Sequence, residues 1–338
     1  MPVVRTARAA AVCAAVTALT LTGCSRGSQN AASGASPGKA SGNKSATLIM
    51  STLNNPFFVS VGNGARSQAA KSGVKLSVQN ANNSDSTALN LATTAISKQV
   101  GALIIDPVSS TSATASVKQA NNANIPVMAF DRKPDSGTLS SFIGYDAIQA
   151  GRNAADALAK SLGEKGTIVE IQGLLGTNVA QDRSKGFEEE IATYPKIKTV
   201  AKQAADFDRA KALDVMTNIL QAHPSIDGVY AANDEMAMGA LAALKSRSLA
   251  GKVRLVGNDG IADALAAVQD GTMYATNAES PYALGQKVVS LTGNVLGGKK
   301  VAAEETLQGK LVTKSNVKAY ARYLVGIGDS ADVPAALR

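Results

Sequence analysis

The chain contains no tryptophan, one histidine and two cysteines, and aromatic residues make up only 4% of its 338 positions. Two cysteines are too few for a disulfide scaffold or a Cys-based zinc cluster. One histidine excludes multi-histidine metal sites and leaves few ways to build a His-driven catalytic centre. No metal and no cofactor are therefore expected. His223 stands just before Pro224, where it reads as the end of a helix. Phosphate-loop and nucleophile-elbow spacings are missing as well. The formal net charge is +8, but no dense Lys/Arg stripe with interleaved aromatics occurs, so nucleic acid is not an expected partner. What remains is a chain that is 45% hydrophobic, too apolar for disorder and long enough for two domains with their own cores.

The first 24 residues read as an address rather than as part of a fold. Arg5 and Arg8 precede an apolar run, Ala9 to Leu21, that is too short to anchor stably across a bilayer. The run ends in Leu21-Thr22-Gly23-Cys24, which has the form of a bacterial lipobox. Cys24 would then open the mature chain, carry the acyl groups and make the membrane a partner. The alternative is a plain secretory leader with an incidental cysteine. Cys13 falls in the discarded stretch. Residues 25 to 45 are mostly Ser, Gly, Asn and Ala, the composition of a flexible tether.

From Ala46 onward short apolar runs alternate with amphipathic stretches of helical length. Strands are expected at 46–51, 74–79, 102–106, 126–130 and 140–145, with helices at about 57–71, 87–99 and 112–123. The pattern restarts with strands at 167–173, 199–205, 228–233, 253–259 and 274–280, separated by helices near 180–193, 209–222, 235–247 and 261–269. This alternation predicts an α/β protein of two doubly wound, parallel-sheet lobes. Such sheets bind ligands beyond the carboxyl ends of their strands. Polar residues collect there: Asp106, Asp131, Arg132, Asn233, Asp234, Asn258, Asp259 and Glu279.

Asn55 and the adjacent Phe57 and Phe58 follow the first strand. An aromatic face suits the C–H face of a sugar, although one of the two rings is expected to pack in the core. Asp131 and Arg132 set an acceptor-only carboxylate beside a five-donor fork, and Arg183 adds a second fork. Asn233 supplies both a donor and an acceptor, and Asp259 another carboxylate. Taken singly, each residue fits a helix cap or a surface pair, and Asp234 looks like a cap. Taken together, on the strand ends of two lobes, they point to a site for a polyhydroxyl ligand.

STLNNPFFVS (51–60), ANIPVMAFDR (123–132), EIQGLLGT (170–177), ADFDRAKALDVM (205–216), AHPSIDGVYAANDEMAMGAL (222–241) and VGNDG (256–260) closely resemble the ribose-binding proteins of bacterial ABC importers, within the type I periplasmic binding protein superfamily. The resemblance covers about 46 to 318. It implies a lipid-anchored, extracytoplasmic, non-catalytic and monomeric subunit that delivers a monosaccharide to an ABC permease and its ATPase. Asn55, Asp131, Arg132, Arg183, Asn233 and Asp259 would hydrogen-bond the sugar, and Phe57, Phe58 and Phe207 would sandwich its ring. The resemblance also implies a three-segment hinge near 145–147, 279–281 and 308–311. One lobe would hold 46–146 plus 280–308 and the other 147–279 plus 309–320. The tail, 321–338, runs past the family's usual end and has no assignment.

Two positions depart from the ribose pattern. Asn258 stands where ribose binders have an aromatic, and Glu279 where they have Gln. A different pentose, a hexose or a polyol is compatible with those changes. Two other functions fit the same residues. One is a sugar-sensing lipoprotein that serves a membrane receptor. The other is a sugar-acting enzyme using Asp131, Asp259 and Glu279 as acid and base. Against the enzyme, arginine neighbours are expected to keep those carboxylates ionised, as acceptors.

Overall fold

The computed structural model describes residues 43–338. The leader, Cys24 and most of the tether lie outside the described residues. Among the described residues no helix is long and apolar enough to cross a membrane.

The first half runs β1 (Ser45–Met50), α1 (Pro56–Ser72), β2 (Lys75–Asn80), α2 (Asp85–Ser97), β3 (Ala102–Ile105), α3 (Ala113–Asn122), β4 (Val127–Phe130) and β5 (Ser141–Tyr145). The second half repeats it: α4 (Ala147–Ser161), β6 (Lys165–Gln172), α5 (Asn178–Ile191), β7 (Lys196–Ala204), α6 (Arg209–Ala222), β8 (Gly228–Ala231), α7 (Asp234–Ser246), β9 (Arg254–Asp259), α8 (Ala262–Asp270) and β10 (Ala275–Ala278). After it come α9 (Pro281–Leu296), β11 (Glu304–Leu307), β12 (Lys310–Thr313), α10 (Val317–Ile327) and a short 3-10 turn, Ala335–Leu337. Every residue of β3, β4, β8 and β10 is buried. Continuous burial is what parallel strands covered on both faces require.

Two six-stranded sheets result, ordered β11-β5-β4-β3-β1-β2 and β12-β10-β9-β8-β6-β7. Each inner order is the doubly wound one, with its switch point beside the first strand of the lobe. All pairings are parallel except that of β12, which joins β10 antiparallel. The chain leaves the first sheet after Tyr145, returns after Ala278 and crosses again between Leu307 and Lys310.

Matching helix pairs seat the strand ends in both lobes. In the first, α1 and α9 touch through glycine: a Cβ on Gly64 would lie 2.0 Å from the Tyr282 carbonyl oxygen, and one on Gly285 2.0 Å from that of Val61. In the second, α4 and α5 do the same, Gly151 against the Arg183 carbonyl oxygen and Gly186 against that of Ile148. Backbone-to-backbone contact of this kind fixes the depth at which α5 carries Arg183.

The structure revises some local expectations. Helices α4 and α9 fall where the sequence pattern marks no element. Asn233, not Asp234, caps α7: its side chain accepts from the Met236 amide at 3.0 Å. Asp234 is fully buried and accepts instead from the amides of Gly260 (2.6 Å) and Ile261 (3.1 Å) and from the Thr276 hydroxyl. The carboxylate thereby closes the turn after β9, where three donors satisfy it better than one cap bond. His223 ends α6 as expected. Residues past 320 are structured too. Tyr320, Ala321 and Leu324 of α10 are buried, and so are Asp329 and Val333 beyond it.

Candidate ligand-binding site

Three contacts draw the lobes together. The Ser110 amide donates to the Gly176 carbonyl (3.2 Å), the Asn178 amide to the Ser110 hydroxyl (3.4 Å), and the Lys133 amide to the Asn178 side-chain oxygen (2.9 Å). Behind them lies a cleft lined by Asn55, Phe57, Phe58, Asp131 and Arg132 from one lobe and by Val179, Arg183, Phe207, Asn233 and Asp259 from the other. Of the residues singled out in the sequence, Asp106, Asp234, Asn258 and Glu279 do not line it. Glu279 is bonded to Arg183 and Asn258 to Asp259, which do.

Backbone geometry aims these groups. Asp131 (φ 58°), Phe207 (φ 60°) and Asp259 (φ 124°) all lie in the left-handed region that favours glycine. A bulky residue such as Phe207 holds that conformation only where its surroundings over-determine it. Gly173 supplies the room, since a Cβ there would come within 2.2 Å of the Phe207 ring. Asn55 and Asn233 cap α1 and α7, each accepting a backbone amide on its side-chain oxygen, at 2.8 and 3.0 Å. Their NH2 groups are thus the halves left for a ligand. Capping and lining are one arrangement here, not rival ones.

Phe57 and Phe58 meet edge to face, centroids 5.2 Å apart at 84°. Both are nearly buried and both reach the cavity. The Arg132 guanidinium lies between two rings, 5.3 Å from the Phe58 centroid and 5.7 Å from that of Phe207. One Nη donates to the carbonyls of Pro107 (3.1 Å) and Val108 (3.4 Å), while Nε stands 3.8 Å from both Asp106 and Asp131 and makes no hydrogen bond. Arg183 is held more tightly. It donates to the Ala232 carbonyl at 2.9 Å and to Glu279 at 2.9 Å, and it pairs with Asp259 at 3.4 Å.

Each guanidinium therefore sits between two carboxylates, which leaves acids in excess. Burial pushes Asp106 up to about 7, against the pull of Arg132. Burial likewise raises Asp131 against Arg132 and Arg183, Glu279 against Arg183 and the Asn258 amide, and Asp259 well above its ordinary range against Arg183. In each of the four acids desolvation acts against the pull of the two cations they share. Burial pulls Arg183 down, but Glu279, Asp259 and Asp131 together hold it above its usual value. Asp106 follows β3 as Asp131 follows β4, and it backs Arg132 without lining the cleft. Nothing in the sequence marks Val179.

A closed cavity shared by two α/β lobes, with ring faces and mixed donors and acceptors, defines a two-lobed solute-binding protein. A family model described as a periplasmic binding protein domain matches residues 46–300. The ribose import binding protein of Escherichia coli (strain K12) is 43% identical over 269 residues, 79% of this chain and 90% of that protein. An ABC transporter periplasmic solute binding protein from Actinobacillus succinogenes 130z with bound D-allose superposes with a TM-score of 0.79 at 32% identity, covering 82% of this chain and 99% of that one. A solute binding protein from Bacillus halodurans C-125 with bound myo-inositol gives a TM-score of 0.79 at 28% identity, covering 84% and 98%. The chain belongs to the periplasmic binding protein family, in the ribose-binding-like group whose members serve sugar ABC importers.

Proposed function

We propose that this chain is the extracytoplasmic solute-binding subunit of an ABC importer, that it encloses a monosaccharide or related polyol between its lobes, and that it delivers the ligand to a permease and its ATPase. One observation carries the reading. Ring faces, guanidiniums, amides and carboxylates from both lobes converge on one cleft, the mixture of apolar faces and a few convergent polar groups that small-molecule sites share. Asn55 and Asn233 offer NH donors, and Asp131 and Asp259 offer acceptors. A hydroxyl, which both donates and accepts, is the group that matches such an alternation. Because the contacts come from both lobes, ligand affinity favours the closed arrangement over an open one.

The relatives' ligands are all polyhydroxyl compounds: the E. coli protein is named for ribose, and the two solved structures hold D-allose and myo-inositol. Asn258 and Glu279 change the second-lobe end of the site, so the ligand here is read as a polyol whose preference those two residues set. An enzyme is disfavoured because the relatives are binding proteins of transporters.

The test is a thermal-shift series with D-ribose, D-allose, xylitol and myo-inositol, since a ligand that binds only the folded state raises the melting temperature. A concentration-dependent rise with one of them, with the sugar recovered chemically unchanged, supports the reading. No shift with any of the four, or turnover of the sugar, overturns it. Attachment through lipid on Cys24 belongs to the same proposal. Cys24→Ser is expected to move the protein from the membrane fraction to the soluble fraction, and retention in membranes would refute the lipobox.

A further inference from the structure

Behind the cavity wall runs a one-way chain of side-chain amides. Gln149 Nε2 donates to Asn153 Oδ1 at 2.9 Å, and Asn153 Nδ2 to Asn277 Oδ1 at 3.3 Å. Asn277 Nδ2 then donates to Asn258 Oδ1 at 3.0 Å, and Asn258 Nδ2 to Glu279 Oε1 at 3.1 Å. The register of β9 and β10 makes the middle link possible, because Asn277 and Asn258 lie directly opposite one another. Asn277 is fully buried in the middle of a strand and does not line the cavity. Gly309, in the third crossing between lobes, leaves space for its amide: a Cβ there would come within 2.6 Å of Asn277 Nδ2.

Direction is what matters in this chain. An amide has one accepting and one donating end. With Oδ1 of Asn258 taken by Asn277, its Nδ2 has to face residue 279. On the other side Arg183 presents an Nη donor to Glu279 Oε2 at 2.9 Å. Residue 279 is thus met by donors on both sides. A carboxylate satisfies both, whereas a glutamine would turn its NH2 against one of them and leave a buried donor unpaired.

We propose that Asn277 is a positioning residue for the sugar site: by fixing the orientation of Asn258 it makes Glu279 the acceptor that holds Arg183, and so it sets the donors and acceptors the second lobe turns to the ligand. This rests on the sugar-binding reading above, and it joins the two departures from the ribose pattern to a third residue in one unit. With an aspartate at 277, which accepts where Asn277 donates, Asn258 turns over to donate to it and offers its oxygen to residue 279. A glutamine there then becomes the better partner, its NH2 meeting Asn258 and its oxygen meeting Arg183.

The experiment is a double-mutant cycle on the full chain with Asn277→Asp, Glu279→Gln and the pair, which keeps the parent's net charge, using D-ribose, D-allose and myo-inositol as probes. Each single substitution is expected to weaken the best probe at least about tenfold, and the pair to recover to within about threefold of the parent. Melting temperatures without sugar supply a second readout of the same cycle, with both singles lowered and the pair restored. A residue that does not orient Asn258 would give additive losses, so additivity in both readouts overturns the proposal. If Asn277→Asp does not fold alone, folding restored in the pair is the same coupling, and a pair that also fails to fold overturns the proposal. If none of the probes binds the parent protein, the sugar reading fails, and the melting cycle alone still decides whether Asn277 governs Glu279.

Discussion

Arg132 and Arg183 reach the cavity from opposite lobes, and they are held in different ways. Arg132 rests on two backbone carbonyls between the Phe58 and Phe207 rings, with its carboxylates no nearer than 3.8 Å. Arg183 is bonded to Glu279 and the Ala232 carbonyl at 2.9 Å and paired with Asp259 at 3.4 Å. Burial is the same for both, at 4% exposure. The contrast teaches that a buried guanidinium serves a binding site in one of two ways. In the proposed site it presents its own donors, the role given to Arg132, or it holds carboxylate oxygens in place for a ligand, the role given to Arg183.

The sharpest way to break that contrast is to delete Arg183. Arg183→Ala would strand Glu279 and Asp259 in a dry interior, and removing one partner of a buried pair costs roughly 3–5 kcal/mol. Urea unfolding without sugar should register a loss of that order, and a loss under about 1 kcal/mol, the scale of an exposed ion pair, would mean that Arg183 is no scaffold. Arg132→Ala and Asp131→Ala should do the reverse. Affinity for the best sugar, measured by calorimetry, is expected to fall about a hundredfold, on the order of 3 kcal/mol for a charge-assisted partner. Stability should fall less than in Arg183→Ala, because Arg132 and its carboxylates are 3.8 Å apart whereas Arg183 is bonded to Glu279 at 2.9 Å. Near-normal sugar affinity in either variant would place the ligand elsewhere.

The smallest expected effect is one of pH. Asp106 has its folded value raised to about 7 by burial, well above the unfolded value of 3.8. A group raised in the folded state contributes stability that is fully present below its unfolded value and is lost as pH rises through its folded value. Asp234 and Glu170 are raised by burial to about 7 as well. The melting temperature without sugar is therefore expected to decline by a few degrees between about pH 4 and pH 7 and to level off above that. Asp106→Asn should flatten part of that decline. An unchanged slope in the variant would show that Asp106 ionises freely beside Arg132.

The parallel core was legible because a strand such as Ala102–Ile105, buried at every residue, must be written as an unbroken apolar run. Strand-end placement points to Asp131, Arg132, Asn233 and Asp259, which line the cleft, and equally to Asp106, Asp234, Asn258 and Glu279, which do not; Asn55 follows from the family resemblance. Other features left weaker marks. β11 (EETL) and β12 (KLVT) are short, half-exposed edge strands with too little apolar contrast to stand out. Helices α4 and α9 are rich in small residues, since their task is to let backbones touch. Whether Asn233 or Asp234 would cap α7 was undecidable locally, because the donors that claim Asp234 come from Gly260, Ile261 and Thr276. The ionisation of the acids was hidden for the same reason: a sequence displays its charges but not how dry their surroundings are.

The three passages between the sheets have a mechanical consequence. They leave from β5, β10 and β11, and the pairing of β11 with β5 and of β12 with β10 sets them side by side. Three strips fixed along one edge bend together but resist twist and sideways slide, as the leaves of a door do. In the proposed cycle of opening and closing, the lobes would thereby be confined to one arc, and Phe58 and Phe207 would return to the same two sides of Arg132 on every closure. Registration of the two half-sites would then be a property of the backbone path, in place before any ligand arrives.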